Sequence, residues 1–194
     1  MPKIQVINGP KREERERTAA MSHLTKGNIL VLSAPFRRSE VEQDVERIRS
    51  KLGVQGRSSF QMRLVLSELL RNIINYTPEG YAEEPFIIIG HIKTPLGFKI
   101  NNFGVATSEN LERLSERIKL YASMDKNNPE QFTFGIYDYS RTNAETGKKE
   151  IFGGRGLMNI ALCEHDGIVL VRGRQVDTNA CRFMIRIKLL QVKQ

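Results

Sequence analysis

The chain has 194 residues, 40% hydrophobic and 27% charged, which excludes wholesale disorder and is enough for one domain with a sizeable core. Thirty basic residues against 22 acidic ones leave a net charge of +8, which suits an anionic ligand, an acidic protein partner or a nucleic acid. No apolar run approaches the ~20 residues of a membrane span and no signal-peptide apolar region opens the chain, so a cytoplasmic setting is expected.

Residues 1–26 are polar, and Lys11-Arg12-Glu13-Glu14-Arg15-Glu16-Arg17 mixes both signs. That pattern predicts an N-terminal arm, either a solvated helix or loose chain, in front of a domain spanning 27–194. Gly27 to Leu32 reads as a strand ended by Ala34-Pro35. Ser39 followed by Glu42 is a capping box for a helix through Leu52, stopped at Gly53. A second, central helix is predicted from Ser58 and ends before Pro78.

On that central helix Glu68, Arg71, Asn72 and Asn75 fall at i, i+3, i+4 and i+7, which gathers them into one polar stripe. Leu66, Leu69, Leu70, Ile73 and Ile74 fill the rest of the surface, so much of the helix is buried. A carboxylate one turn before a carboxamide can hold a hydrated divalent cation from one side. The stripe alone is equally compatible with a solvated helix face.

Pro85 to Gly90 and Gly97 to Ile100 read as two strands, the second broken by a turn at Asn101-Asn102-Phe103-Gly104. Ser108 opens a helix with Leu111, Leu114, Ile118 and Tyr121 at helical spacing. From Asp125 to Gly153 the chain is polar and aperiodic, a length that usually signals a functional loop. Gly153-Gly154-Arg155-Gly156 then opens an apolar helix over Leu157 to Cys163, where glycines and a helix N-terminus favour an anion. Arg155 is placed either to reach a phosphate or to face solvent. Gly167 to Gln175 and Asn179 to Leu190 alternate as a hairpin rich in Arg172, Arg174, Arg182, Arg186, Lys188 and Lys193. Cys163 and Cys181 lack Cys-x-x-Cys spacing and are expected as reduced, buried thiols. Lys148 is not a P-loop lysine, because Thr142 stands where the first glycine is needed. The order of elements gives an α+β fold: a two-layer sandwich of a mixed, mostly antiparallel sheet with helices on one face.

These segments together resemble the histidine-kinase-type (GHKL) ATPase superfamily. Glu68-Leu69-Leu70-Arg71-Asn72-Ile73-Ile74-Asn75 looks like its N box, Asn101-Asn102-Phe103-Gly104 lies at its first glycine box, and Gly153-Gly154-Arg155-Gly156-Leu157 resembles the second. The resemblance implies that ATP and magnesium are bound, with 125–153 as the ATP lid. It implies Asn72 as magnesium ligand and Glu68 as the catalytic residue that polarises the attacking group. The nucleotide-contacting set would be Asn72, Asn75, Asn102, Gly104, Gly154, Arg155, Gly156 and Leu157. Two departures stand out: Asn102 replaces the usual adenine-binding Asp, and Ala106 stands near the place of a second glycine.

Within the superfamily the chain is most similar to stand-alone bacterial serine/threonine kinases of the SiaB type and, more distantly, the RsbW-type anti-sigma kinases. That branch implies phosphorylation of a small acidic, STAS- or SiaC-like partner protein, and is compatible with a homodimer. Two rival functions remain from other classes: a non-catalytic ATP-sensing module, suggested by Asn102, and a basic nucleic-acid-binding domain using the C-terminal hairpin.

Overall fold

The computed structural model describes residues 3–22, 29–93, 96–123, 140–142, 149–151, 155–163 and 165–190. Their order is β1 (Lys3–Asn8), α1 (Pro10–Ser22), β2 (Ile29–Ser33), α2 (Val41–Leu52), α3 (Gly56–Tyr76), β3 (Phe86–Lys93), β4 (Leu96–Thr107), α4 (Ser108–Ser123), β5 (Ser140–Thr142), β6 (Lys149–Ile151), α5 (Arg155–Leu162), β7 (His165–Gln175) and β8 (Ala180–Leu190). Six strands form one mixed sheet in the order β1-β7-β8-β4-β3-β2. Within it only β1 and β7 run parallel, and the fold is α+β as expected. The segment predicted as a lid lies outside the described residues apart from β5 and β6, which pair with each other.

Strand β4 corrects the sequence reading. It runs through Asn101 to Gly104 without a turn, and Gly97 to Thr107 pair residue by residue with Leu190 to Ala180 of β8. A central strand bonded on both sides overrides the turn preference of Asn-Asn-x-Gly, because strand preference depends on context. The helix starts also differ. Helix α2 begins at Val41 with Glu40 at the cap rather than Ser39, and neither α2 nor α3 has a side-chain cap bond. Ser59 instead lies buried in the first turn of α3, where its Oγ accepts a hydrogen bond from Arg49 Nε at 2.7 Å. Gly53 ends α2 as expected, at φ 60°, a conformation glycine adopts without steric cost.

Alternation along β3 divides the core. Ile87 and Ile89 point to one face, beneath Met62, Leu66 and Leu70 of α3, while Phe86 and Ile88 point to the other. The first face also receives Val45 of α2, Leu111 and Ile118 of α4, and Ile160 of α5. Among the described residues, this is the larger of the two cores.

The second face is not bare, and here the N-terminal segment departs from its reading as a solvated or loose arm. Residues Lys3 to Asn8 form the edge strand β1, and α1 covers the face of the sheet opposite the other helices. Its few apolar side chains conceal this in the sequence, because it docks largely through charge. The guanidinium of Arg17 stands 5.2 Å and 5.4 Å from the ring centres of Phe86 and Phe103, which stack on each other at 4.6 Å. Glu13, fully buried, holds Arg17 at 2.8 Å, and Glu16 pairs with Arg186 of β8. Removing one partner of a buried pair leaves the other charge uncompensated. Glu13→Ala should therefore cost about 3 kcal/mol or more in urea denaturation. A similar exposed change, Glu14→Ala, should cost little.

Candidate functional site

Helix α3 ends beside the middle of the sheet, and a cleft opens there between α3, α4 and the strands β4 and β8. Asn72, Ile73, Tyr76 and Thr77 form one wall, and Asn110, Arg113 and Arg117 of α4 form the opposite one. Asn102, Val105 and Ala106 of β4, with Phe183 and Ile185 of β8, form the floor, and Leu157 of α5 closes one side. Asn72, Asn102 and Leu157, widely separated in sequence, thus meet in one cavity. At about 120 Å³ it falls below the roughly 300–1,000 Å³ of a whole-ligand pocket, so it accepts one ring-sized group with the rest of a ligand outside.

Asn102 is the most informative side chain of the floor. It is 2% exposed, and among the described residues its Oδ1 has no hydrogen-bond partner. A buried, unpaired carboxamide oxygen costs stability in an isolated fold, and a ligand donor can offset that cost. Asn101, its neighbour, points to the opposite face and accepts a hydrogen bond from Arg186 Nε at 3.0 Å. Strand alternation therefore leaves Asn102 alone facing the cleft.

Gly104 does not line the cleft itself. A β-carbon there would lie 2.8 Å and 3.0 Å from ring atoms of Phe183, which does line it. The glycine lets Phe183 lie flat against β4. Gly104→Ala should push that ring out of place at a cost of about 1–3 kcal/mol, measurable as a lowered urea midpoint. It should also weaken any ligand held against the ring.

The polar stripe of α3 divides in space. Asn75 is exposed and its Oδ1 accepts a bond from Arg38 Nη2 at 2.5 Å, outside the cleft lining. Arg71 is half-exposed and reaches Glu42 of α2 at 3.0 Å and Glu68 at 3.9 Å. Glu68 turns inward, its side chain 19% exposed. Burial pushes its carboxyl above the ordinary value, with Arg71 partly opposing the shift.

Gly156 explains how Glu68 is seated. This buried glycine lies in the first turn of α5, and a β-carbon on it would run into Glu68 Oε2 and come within 2.9 Å of Glu68 Cδ. Helices α3 and α5 thus approach so closely that only glycine leaves room for the carboxylate. Gly154 and the side chain of Arg155 lie outside the described residues.

The sequence reading missed Asn110, Arg113 and Arg117. They follow a helical stripe next to the one marked by Leu111, Leu114 and Ile118, so the same periodicity contains them. What it does not contain is the tilt of α4 that turns this stripe toward Asn72. Arg113 and Arg117 bring positive charge to this wall, with Arg113 already paired with Glu109.

Among the described residues, no group of three or more His, Cys, Asp or Glu side chains could hold a metal ion. A magnesium ion carried on phosphate oxygens needs few protein ligands, and Asn72 presents a carboxamide to the cleft. The C-terminal hairpin is basic in sequence but neutralised in space. Arg172 pairs with Glu112 at 2.7 Å, Arg174 with Glu14 at 3.5 Å, Arg182 with Glu84 at 2.9 Å and Lys188 with Asp166 at 3.2 Å, while Arg186 pairs with Glu16. Lys193 lies outside the described residues. Both cysteines are free thiols, Cys163 buried and Cys181 only half-buried. No helix among the described residues is long and apolar enough to cross a membrane.

No protein-family model matches the sequence, and no curated protein matches it. The fold is similar to one in a solved structure, the crystal structure of the SiaB-SiaC complex from Pseudomonas aeruginosa. The TM-score is 0.64 at 18% identity, and the match covers 88% of this chain and 96% of that one. At that identity the likeness is one of fold.

Proposed function

We propose that the protein is an ATP-dependent serine/threonine protein kinase of the histidine-kinase-like type, acting on a small partner protein in a bacterial signalling switch. The observation that carries this reading is the convergence of the three motif regions. Asn72 and Asn102 line one cleft with Leu157, and Glu68 is seated against the glycine turn that precedes Leu157. The fold likeness to a protein solved in complex with SiaC supports a protein partner for this chain too.

In this reading the purine ring of ATP occupies the cleft against Asn102 and Phe183, and Asn72 would hold magnesium at the phosphate end. ATP supplies the γ-phosphoryl group, and the metal ion offsets the charge on its oxygens. Glu68 accepts the proton of the acceptor Ser or Thr hydroxyl as its oxygen bonds to phosphorus and the bond to the ADP oxygen breaks. A raised carboxyl pKa brings that base closer to the operating pH.

The pairing of Arg172, Arg174, Arg182, Arg186 and Lys188 with carboxylates removes the motive for a nucleic-acid interface on the hairpin. The ATP-sensor reading makes a different prediction and is tested directly. A partner recovered with the protein is incubated with radiolabelled ATP and magnesium, and label on a partner Ser or Thr is expected. Nucleotide binding without any transfer to the true partner would leave the sensor standing. Asn72→Ala should abolish magnesium-dependent ATP binding in calorimetry with the fold intact, and equal Mg-ATP affinity for variant and parent would remove Asn72 from the site.

A further inference from the structure

Among the described residues, the floor of the cleft carries one polar side chain, Asn102, beside Val105, Ala106, Phe183 and Ile185, while Asn72, Thr77 and Asn110 stand on the walls. A carboxamide has an acceptor on one end and a two-hydrogen donor on the other. Its terminal torsion is broad and roughly two-fold, so a half-turn exchanges the two ends. What normally fixes an Asn in one orientation is a hydrogen bond from the protein, and among the described residues Asn102 Oδ1 receives none. Burial holds the side chain in place, and no hydrogen bond to Oδ1 among the described residues fixes its sense.

Resting on the nucleotide reading of this cleft, we infer that Asn102 reads the six-position edge of a purine in either sense, so that the site accepts 6-amino and 6-oxo purine nucleoside triphosphates alike. Adenine presents a donor at its 6-amino group and an acceptor at N1, which meet Oδ1 and Nδ2. Hypoxanthine presents an acceptor at O6 and a donor at N1, which meet the same two atoms after the half-turn. Guanine shares the hypoxanthine edge but adds a 2-amino group. The floor side chains beside Asn102 (Val105, Ala106, Phe183 and Ile185) offer that group no acceptor, so where it lies against them it loses its water without replacement.

The test is equilibrium binding of ATP, inosine triphosphate and guanosine triphosphate, each with magnesium, to the full chain. The Kd for inosine triphosphate is expected within about tenfold of that for ATP, and guanosine triphosphate should bind about tenfold or more weakly than inosine triphosphate. Asn102→Ala should weaken ATP and inosine triphosphate by similar factors, about tenfold each. A parent preference for ATP over inosine triphosphate beyond about a hundredfold overturns the inference while leaving the nucleotide site in place. So does an Ala variant that loses ATP affinity and keeps affinity for inosine triphosphate unchanged. If the parent binds none of the three, the nucleotide reading itself falls and the inference with it. The parent measurements decide the matter even where the variant does not fold.

Discussion

Glu68→Gln is expected to bind Mg-ATP as the parent does and to transfer phosphate to the partner about a hundredfold more slowly, or worse. Glutamine keeps the shape that fits against Gly156 and can still hydrogen-bond the acceptor hydroxyl, but it cannot take the proton. The readout is phosphate incorporation at saturating ATP, which removes any small change in affinity from the comparison. Undiminished transfer would take Glu68 out of the chemistry.

The pH dependence follows from the same carboxyl. Its proton is held to a higher pH than in an ordinary glutamate because burial disfavours the charge, with Arg71 opposing. The parent should therefore lose activity as pH falls through a value above 4.5, the reference for a glutamate, and Glu68→Gln should lack that acid limb. Stability runs the other way. A carboxyl raised in the folded state favours folding fully below its unfolded value, and that contribution is lost as pH rises through the folded value. At neutral pH the ionised, partly buried Glu68 thus opposes folding, and the glutamine variant should melt at the parent's temperature or higher. That trade of stability for chemistry is common at working sites.

How much of this was legible in the chain depends on which forces made each element. Helix α3 and the C-terminal hairpin were readable because their apolar periods are set by one dominant core face. The continuity of β4 through Asn101-Asn102-Phe103-Gly104 was not, since it is imposed by partner strands on both sides rather than by local preference. Strand β1 and helix α1 were misread for a related reason. Arg17 over two phenylalanine rings and Glu13 beneath it are contacts between distant segments, and a polar helix that docks through charge has no apolar stripe to announce it. Of the candidate site, Asn72, Asn102 and Leu157 share a cleft, while Asn75 stands outside it with Arg38 and Gly104 serves Phe183 instead. A helical wheel places Asn72 and Asn75 on one stripe, and only the packing of α4 and α5 decides which of them is covered.

Gly156→Ala isolates the geometry from the chemistry, and the expected loss in transfer is about ten- to a hundredfold. Gly156 lies in the first turn of α5 and has no positive φ, so α5 itself should tolerate alanine there. The added β-carbon has its conflict with Glu68, and the atoms it meets are the far end of a flexible side chain. The carboxylate can swing away at little cost to the fold, but it then no longer stands where a proton must be taken. Melting temperature should hold or rise while transfer falls, the opposite of what a packing defect does. The decisive comparison is a double-mutant cycle. If Gly156 acts by seating Glu68, adding Gly156→Ala to Glu68→Gln should slow transfer little further, because the base is already gone. Fully additive losses would mean that Gly156 serves the nucleotide directly, by letting the backbone of α5 approach it, and that the contact with Glu68 is incidental. Measuring Mg-ATP affinity alongside separates the two: the seating role leaves Kd near the parent value, and the backbone role raises it in both backgrounds.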